Sequence, residues 1–167
     1  MRVLGIDCGG EYTGYGLVEQ DDGGALVHLR SGVIRLSRRE SLELRLKRIC
    51  EELTAIIVTY RPAQVAIEDV FYAVNVKSAL RLGHVRGVAM LTAAQAGLQV
   101  AAYAPLAIKS AVVGYGRAEK SQVQMMVAEL LHLSSPPEPP DVADALAIAI
   151  CHLHTMGTLR RQHAGAS

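Results

Sequence analysis

The sequence predicts an α/β domain: a mixed five-stranded sheet, three antiparallel strands followed by a parallel βαβ unit, flanked by helices. Three observations lead there. The N-terminal part alternates apolar runs with Gly-rich turns. Beyond it, helical and strand periodicities take turns. Half of the 167 residues are hydrophobic, with aromatics held to 4% and no Trp. A core of Ala, Val, Ile and Leu suits layered α/β packing. Compact domains hold about 100 to 200 residues. Residues 1–157 are therefore assigned to one domain and 158–167, ending in RRQHAGAS, to a flexible C-terminal tail.

Each element has its own signal. MRVLGID is an apolar run closing on Asp7, and GYGLVEQ, after a Gly-rich turn, pairs with it as a hairpin. ALVHLRSGVIRL is a third strand, reached through the turn DDGG. Ser41 to Tyr60 carries Leu42, Leu46, Ile49, Leu53 and Ile56 or Ile57 at helical spacing, and Arg61-Pro62 ends it. AQVAIEDV is a strand, about Asn75 to Ala96 a helix and LQVAAYA a strand, which implies a parallel pair with a right-handed crossover. Ala118 to Leu131 is an amphipathic helix and SSPPEPP a loop. Pro140 then opens the last helix, DVADALAIAICHLH, since proline is tolerated at the first helical position.

The formal net charge of +1 excludes the global cationic excess that marks many nucleic-acid binders. The distribution is uneven, however. No acidic residue lies between Asp69 and Glu119, a window that holds Lys77, Arg81, Arg86, Lys109 and Arg117. It reads either as one positive surface or as scattered solvated positions. Cys8, Cys50 and Cys151 share no metal-type spacing and read as reduced thiols of a cytoplasmic protein. Arg2 and Asp7 interrupt the N-terminus before any signal-peptide core forms. Gly87 to Ile108 is uncharged and long enough to span a bilayer. With Thr92, Gln95, Gly97, Gln99 and Pro105 inside it, it reads instead as a buried helix followed by a buried strand, with no membrane partner.

Acids gather at the ends of this architecture. In parallel units functional groups collect where strands stop, because side chains there leave the packed core and face a crevice. Asp7 closes the first strand and Glu68 the fourth; if those strands are neighbours, both face one cleft. Asp69 follows Glu68 directly, but strand residues alternate faces, and Glu68 is the one assigned to the cleft. On the last helix Asp141 and Asp144 are three apart and share a face, while Ala145, Leu146, Ile148 and Ala149 form a docking stripe.

Four converging acids repel one another unless protonated or bridged by a cation. Hard divalent ions suit oxygen donors, and Mg2+ usually takes a few carboxylates plus water and phosphate oxygens. Two ions roughly 3.5 to 4 Å apart activate water and stabilise the leaving oxygen in phosphodiester cleavage. Plainer readings exist: Asp141 suits a positive helix N-terminus, and Asp7 an ordinary turn before Gly9-Gly10.

At these places the chain resembles the RuvC family of Holliday junction resolvases, within the RNase H-like nuclease superfamily. The resemblance rests on GIDCGGEYTGYG, AIEDVFYAVNVKSALRLGHVRGVA, VVGYGRAEKSQVQ and DVADALAIAI, spread over nearly the whole chain. It implies an RNase H-like fold and makes Asp7, Glu68, Asp141 and Asp144 the metal-binding catalytic acids. Cys8-Gly9-Gly10 departs from the family's usual Pro-Gly-Ser, which bears on the turn and leaves Asp7 intact.

Phe71 and Tyr72 follow Glu68, and exposed rings there can stack on unpaired bases. The resemblance implies that Phe71 wedges into the junction centre; a half-buried ring anchoring the helix is the other reading. Lys77, Arg81 and His84 form one stripe of the central helix, suited to phosphates or simply solvated. Lys109 and Lys120 match basic residues near the family's cleavage site. Gly83 and Gly87, four apart, permit close helix approach, either across a two-fold interface or onto the chain's own sheet. His132, His152 and His154 show no ligand geometry.

The resemblance therefore implies a homodimeric endodeoxyribonuclease of recombination and repair. It would nick a four-way junction symmetrically with two Mg2+ ions per site, Mn2+ as a substitute, beside a branch-migration motor. Three rivals stand beside it. One is an actin-like phosphotransferase, whose phosphate-gripping hairpin GIDCGGEYTGYG also resembles but which needs two such lobes. The others are a non-catalytic junction-binding module and an RNase H-like enzyme acting on RNA or hybrid duplexes.

Overall fold

The computed structural model describes residues 1–69 and 76–164. Strands β1 (Arg2–Asp7), β2 (Tyr12–Gln20) and β3 (Leu26–Arg35) form an antiparallel meander. β4 (Gln64–Glu68) and β5 (Gln99–Tyr103) extend it in parallel, giving the order β3-β2-β1-β4-β5. The connections are helical: α1 (Leu42–Tyr60) leads from β3 to β4 and α2 (Val76–Gln95) from β4 to β5. Three helices follow, α3 (Pro105–Val113), α4 (Lys120–Leu130) and α5 (Pro140–Ala164). The mixed sheet and its flanking helices are those the sequence predicts.

Period-two alternation divides the core. On β1 and β4, Leu4, Ile6, Val65 and Ile67 face α1 and α2, where they meet Ile49, Leu53, Val85 and Ala89. Val3 and Ala66 face the other way, onto Val142, Leu146 and Ile150 of α5, with α3 and α4 packed beyond. That second face receives α5 at close range. A Cβ added at Gly5 would collide with the Ala145 carbonyl oxygen, and one added at Gly14 with that of Asp141. Glycine is what lets the helix backbone lie on the sheet.

Three elements differ from expectation. α3 was not predicted: it lies in a mostly apolar stretch between β5 and the expected Ala118–Leu131 helix, with Pro105 in its first turn and Gly114 at φ 95° closing it. β5, expected as a buried strand, is half-buried because it forms the sheet edge, and Gln99 and Ala102 are exposed. α5 continues as helix to Ala164, into the stretch from 158 that the sequence assigns to a tail. By length and composition Pro140–Leu159 of α5 could cross a bilayer, but 61% of that window is buried in this fold, as suits a core helix.

Candidate active site

Register brings the first two acids together. β1 and β4 run parallel with Ile6 opposite Ile67, so Asp7 and Glu68 lie one step further along at the same sheet end. Alternation then orients them: Asp7 continues the series Val3, Gly5, and Glu68 the series Gln64, Ala66, which is the α5 side. Asp69 falls on the opposite series and accepts a hydrogen bond from Arg86 Nη2 at 3.1 Å. One cation of the acid-free window is thus engaged away from the cleft.

α5 delivers the other two acids. Asp7 pairs with Gly14 across the hairpin, and the Asp141 backbone rests on Gly14. Asp7, Glu68 and Asp144 line one cavity of about 270 Å³ with Lys109, Lys120, Ile108 and Val123. Asp141, one helical turn before Asp144, lines an adjoining cavity of about 420 Å³ instead.

The electrostatics record this crowding. The Asp7 carboxyl is pushed up to about 7, first by burial and then by Asp144, Glu68 and Asp141, with Lys120 opposing. Glu68 is raised by burial and Asp144, against the lowering effect of Lys120 and Lys109. Lys120 Nζ is 2.6 Å from Asp144 Oδ2. That contact, reinforced by Asp7 and Asp141, outweighs burial and raises the Lys120 pKa.

Both lysines are placed by the unpredicted α3 and its link to α4. Lys109 Nζ donates to the Ala118 carbonyl at 2.8 Å. Next in the chain, Glu119 and Gln122 form a reciprocal capping box that starts α4 at Lys120.

These acids fit a hard divalent cation by donor chemistry: oxygen ligands only, one raised to about 7 by burial and by three like charges that a cation would offset. Among the described residues no three His, Cys, Asp or Glu side chains form a closed ligand set.

Of the remaining predicted residues, Lys77 and Arg81 are exposed on α2, with His84 on the same helix. Phe71 and Tyr72 lie outside the described residues. His152 and His154 make ordinary internal hydrogen bonds, and His132 ends α4 at φ 52°. Cys8, in place of proline, joins the core under α1 and α2. Burial pushes its thiol up to about 12, so it stays protonated. Sequence reasoning missed Arg38 and Arg45, which share the Asp141 cavity with Arg81. The only signal was a basic pair, Arg38-Arg39, shortly after β3.

Comparison with known proteins agrees with this geometry. A family described as "Crossover junction endodeoxyribonuclease RuvC" matches residues 3–152. The chain belongs to the RuvC family. A RuvC-family protein of Koribacter versatilis (strain Ellin345), named crossover junction endodeoxyribonuclease RuvC, is 66% identical over 166 residues, covering 99% of this chain and 100% of its own. The solved Thermus thermophilus RuvC is similar with TM-score 0.87 and 35% identity, over 95% of this chain and 98% of its own. T. thermophilus RuvC in complex with Holliday junction substrate is similar with TM-score 0.87 and 31% identity, over 95% and 96%. With the mixed sheet, these relationships give the RuvC-family chain its RNase H-like fold.

Proposed function

We propose that this crossover junction endodeoxyribonuclease works as a homodimer that nicks two like strands of a four-way DNA junction symmetrically. Asp7, Glu68, Asp141 and Asp144 would hold its divalent ions, two Mg2+ per site, with Mn2+ as a substitute. The observation that carries this reading is the meeting of Asp7, Glu68 and Asp144 with Lys109 and Lys120 around one cavity at the strand ends, Asp141 one turn away. Bound ions supply Lewis acidity toward the phosphate and an activated water. Lys120 and Lys109 offer positive charge to the phosphate oxygens from α4 and α3. Ile108, Val123 and Ile148 also line the cavity, and such apolar lining strengthens each electrostatic contact within.

Two active sites match the two-fold symmetry of a four-way junction. The exposed face of α2 supports a dimer. Val76, Leu80, Met90 and Leu91 are 76%, 60%, 38% and 56% exposed. A Cβ added at Gly83 or Gly87, on that stripe, meets nothing within 4 Å, so the chain's own sheet does not require glycine there.

The other expectations rest on family membership: recombination and repair as the setting, a branch-migration motor as partner, and Phe71 and Tyr72 as DNA contacts. The cytoplasm as location draws further support from the free thiols of Cys8, Cys50 and Cys151. Family membership also sets aside the phosphotransferase and RNA-directed readings.

The test is Asp7→Asn on a labelled four-way junction, beside three-way and linear DNA, with and without Mg2+. The variant is expected to keep junction binding and lose nicking by about 1000-fold, since metal-ion stabilisation is worth several kcal/mol. Wild-type-like nicking by the variant would refute the assignment.

A further inference from the structure

The acid cluster is flanked by two cavities of different character. The lysine-lined one holds Asp7, Glu68 and Asp144. The other, about 420 Å³, lies between the turn after β1, the start of α1 and the first half of α2. Its walls carry Arg38, Arg45 and Arg81, with Gly9, Gly10 and Asp141. The two meet at the first turn of α5, where Asp141 faces one and Asp144 the other. For a strand crossing the acids from the lysine side, the arginine side offers the continuation.

Three guanidinia on this wall outnumber its two carboxylates, Glu11 and Asp141. Each arginine comes from a different place. Arg38 is in the β3–α1 connection and pairs with Glu11; Arg45 is in the first turn of α1 and donates from Nη2 to the Gly10 carbonyl; Arg81 is on α2. Among the described residues that bond is the only hydrogen bond the Arg45 side chain makes, so further N–H donors of its guanidinium remain to be used. Planar guanidinium forks match phosphate oxygens bidentately, and several converging on one cavity are more selective for phosphate than lysine point charges.

We propose that this cavity is a second phosphate subsite, in which Arg38, Arg45 and Arg81 grip the backbone phosphate next to the one that is cut, on the same DNA strand. The proposal rests on the nuclease reading above and deepens it. Arg38 and Arg81 act on the DNA directly. Arg45 does so while tethering the turn that follows Asp7, so phosphate binding and the placement of that acid share one side chain. A grip on backbone phosphate carries no base information of its own.

The test measures four-way junction affinity as a function of salt for wild type, Arg38→Gln and Arg45→Gln, on two junctions of unrelated sequence. Each lost phosphate contact should lower the magnitude of the log K against log[salt] slope by about 1. Affinity should fall by roughly 5- to 50-fold at moderate salt, equally on both sequences. Arg38 is 77% exposed, so its variant serves if Arg45→Gln does not fold. In a second arm, a neutral methylphosphonate replaces the phosphate flanking the scissile one; there wild type and Arg38→Gln should bind alike.

Wild-type slopes in the folded variants, or an undiminished difference on the methylphosphonate junction, would overturn the subsite while nicking by the wild type left the nuclease reading intact. A wild-type chain that neither binds nor nicks the junction overturns both.

Discussion

Glu68 and Asp69 are neighbours in sequence that point to opposite sides of one sheet. The pleat sends Glu68 to α5 and the lysines and Asp69 to Arg86, so the two amide substitutions should separate cleanly. Glu68→Gln is expected to slow nicking by about 100- to 1000-fold, read in single-turnover cleavage of a labelled junction. Asp69→Asn removes a partly exposed ion pair and should cost no more than about 1 kcal/mol of stability, leaving the cleavage rate within a few-fold. Equal losses from both would contradict the alternation.

Asp7 carries a stability signature of its own. A carboxyl raised in the fold from 3.8 to about 7 is destabilising once ionised; the penalty is absent below the unfolded value and complete above the folded one. At about pH 8 without divalent cations, Asp7→Asn should therefore raise unfolding stability by roughly 1–3 kcal/mol. It should also blunt the rise in Tm expected of the wild type when Mg2+ is added. Calorimetry on both proteins, with and without the ion, checks this.

At the scale of elements, the seating of α5 on glycines makes a steep prediction. Gly5→Ala places a methyl against the Ala145 carbonyl and should cost about 3 kcal/mol or more in urea unfolding, as overpacking does. α5 is also tied to the sheet edge. Tyr103 Oη donates to His152 Nδ1 at 2.7 Å, His152 Nε2 to Gln64 Oε1 at 2.6 Å, and Gln64 Nε2 to Gln99 Oε1 at 3.0 Å. With Tyr103 donating, this chain takes a neutral imidazole, the form that burial favours by lowering the His152 pKa. A histidine whose folded pKa is depressed contributes stability above its unfolded value of 6.5, which is lost as pH falls below it. Unfolding measured at about pH 5 and about pH 8 should show that loss, and His152→Gln should lessen it.

Elements also show what the sequence could reveal. The four acids were legible because strand ends and helix phase are local patterns: a run that stops on Asp7, another that stops on Glu68, and Asp141 and Asp144 on one face. Choosing Glu68 over Asp69 needed only the two-residue repeat, and the register later supplied the neighbour. α3 escaped because its nine residues lack the polar–apolar contrast from which helices are read, although Pro105 and Gly114 marked its ends. The Arg38–Arg45–Arg81 cavity escaped for a different reason. It exists only after α1 and α2 pack side by side, and no spacing in the chain encodes that.

For the whole molecule, the exposed stripe Val76, Leu80, Gly83, Gly87, Met90 and Leu91 sets an oligomeric prediction. Leu80→Glu should convert a dimer to a monomer in light scattering at micromolar concentration, with little change in the far-ultraviolet spectrum. Nicking of the two junction strands should then become uncoupled. Gly87→Ala removes a helix-weakening glycine worth roughly 1 kcal/mol and should still weaken the dimer, because the methyl stands where a partner helix would approach. A monomeric wild type would end the paired-site argument.

α5 meets β1 and β2 through main-chain atoms seated on glycines, so the spacing between its two aspartates and the strand-end acids is cut into the polypeptide itself. Aliphatic residues elsewhere in the interior can be exchanged and resettle without moving that gauge. A single added methyl at position 5 or 14 would reset it.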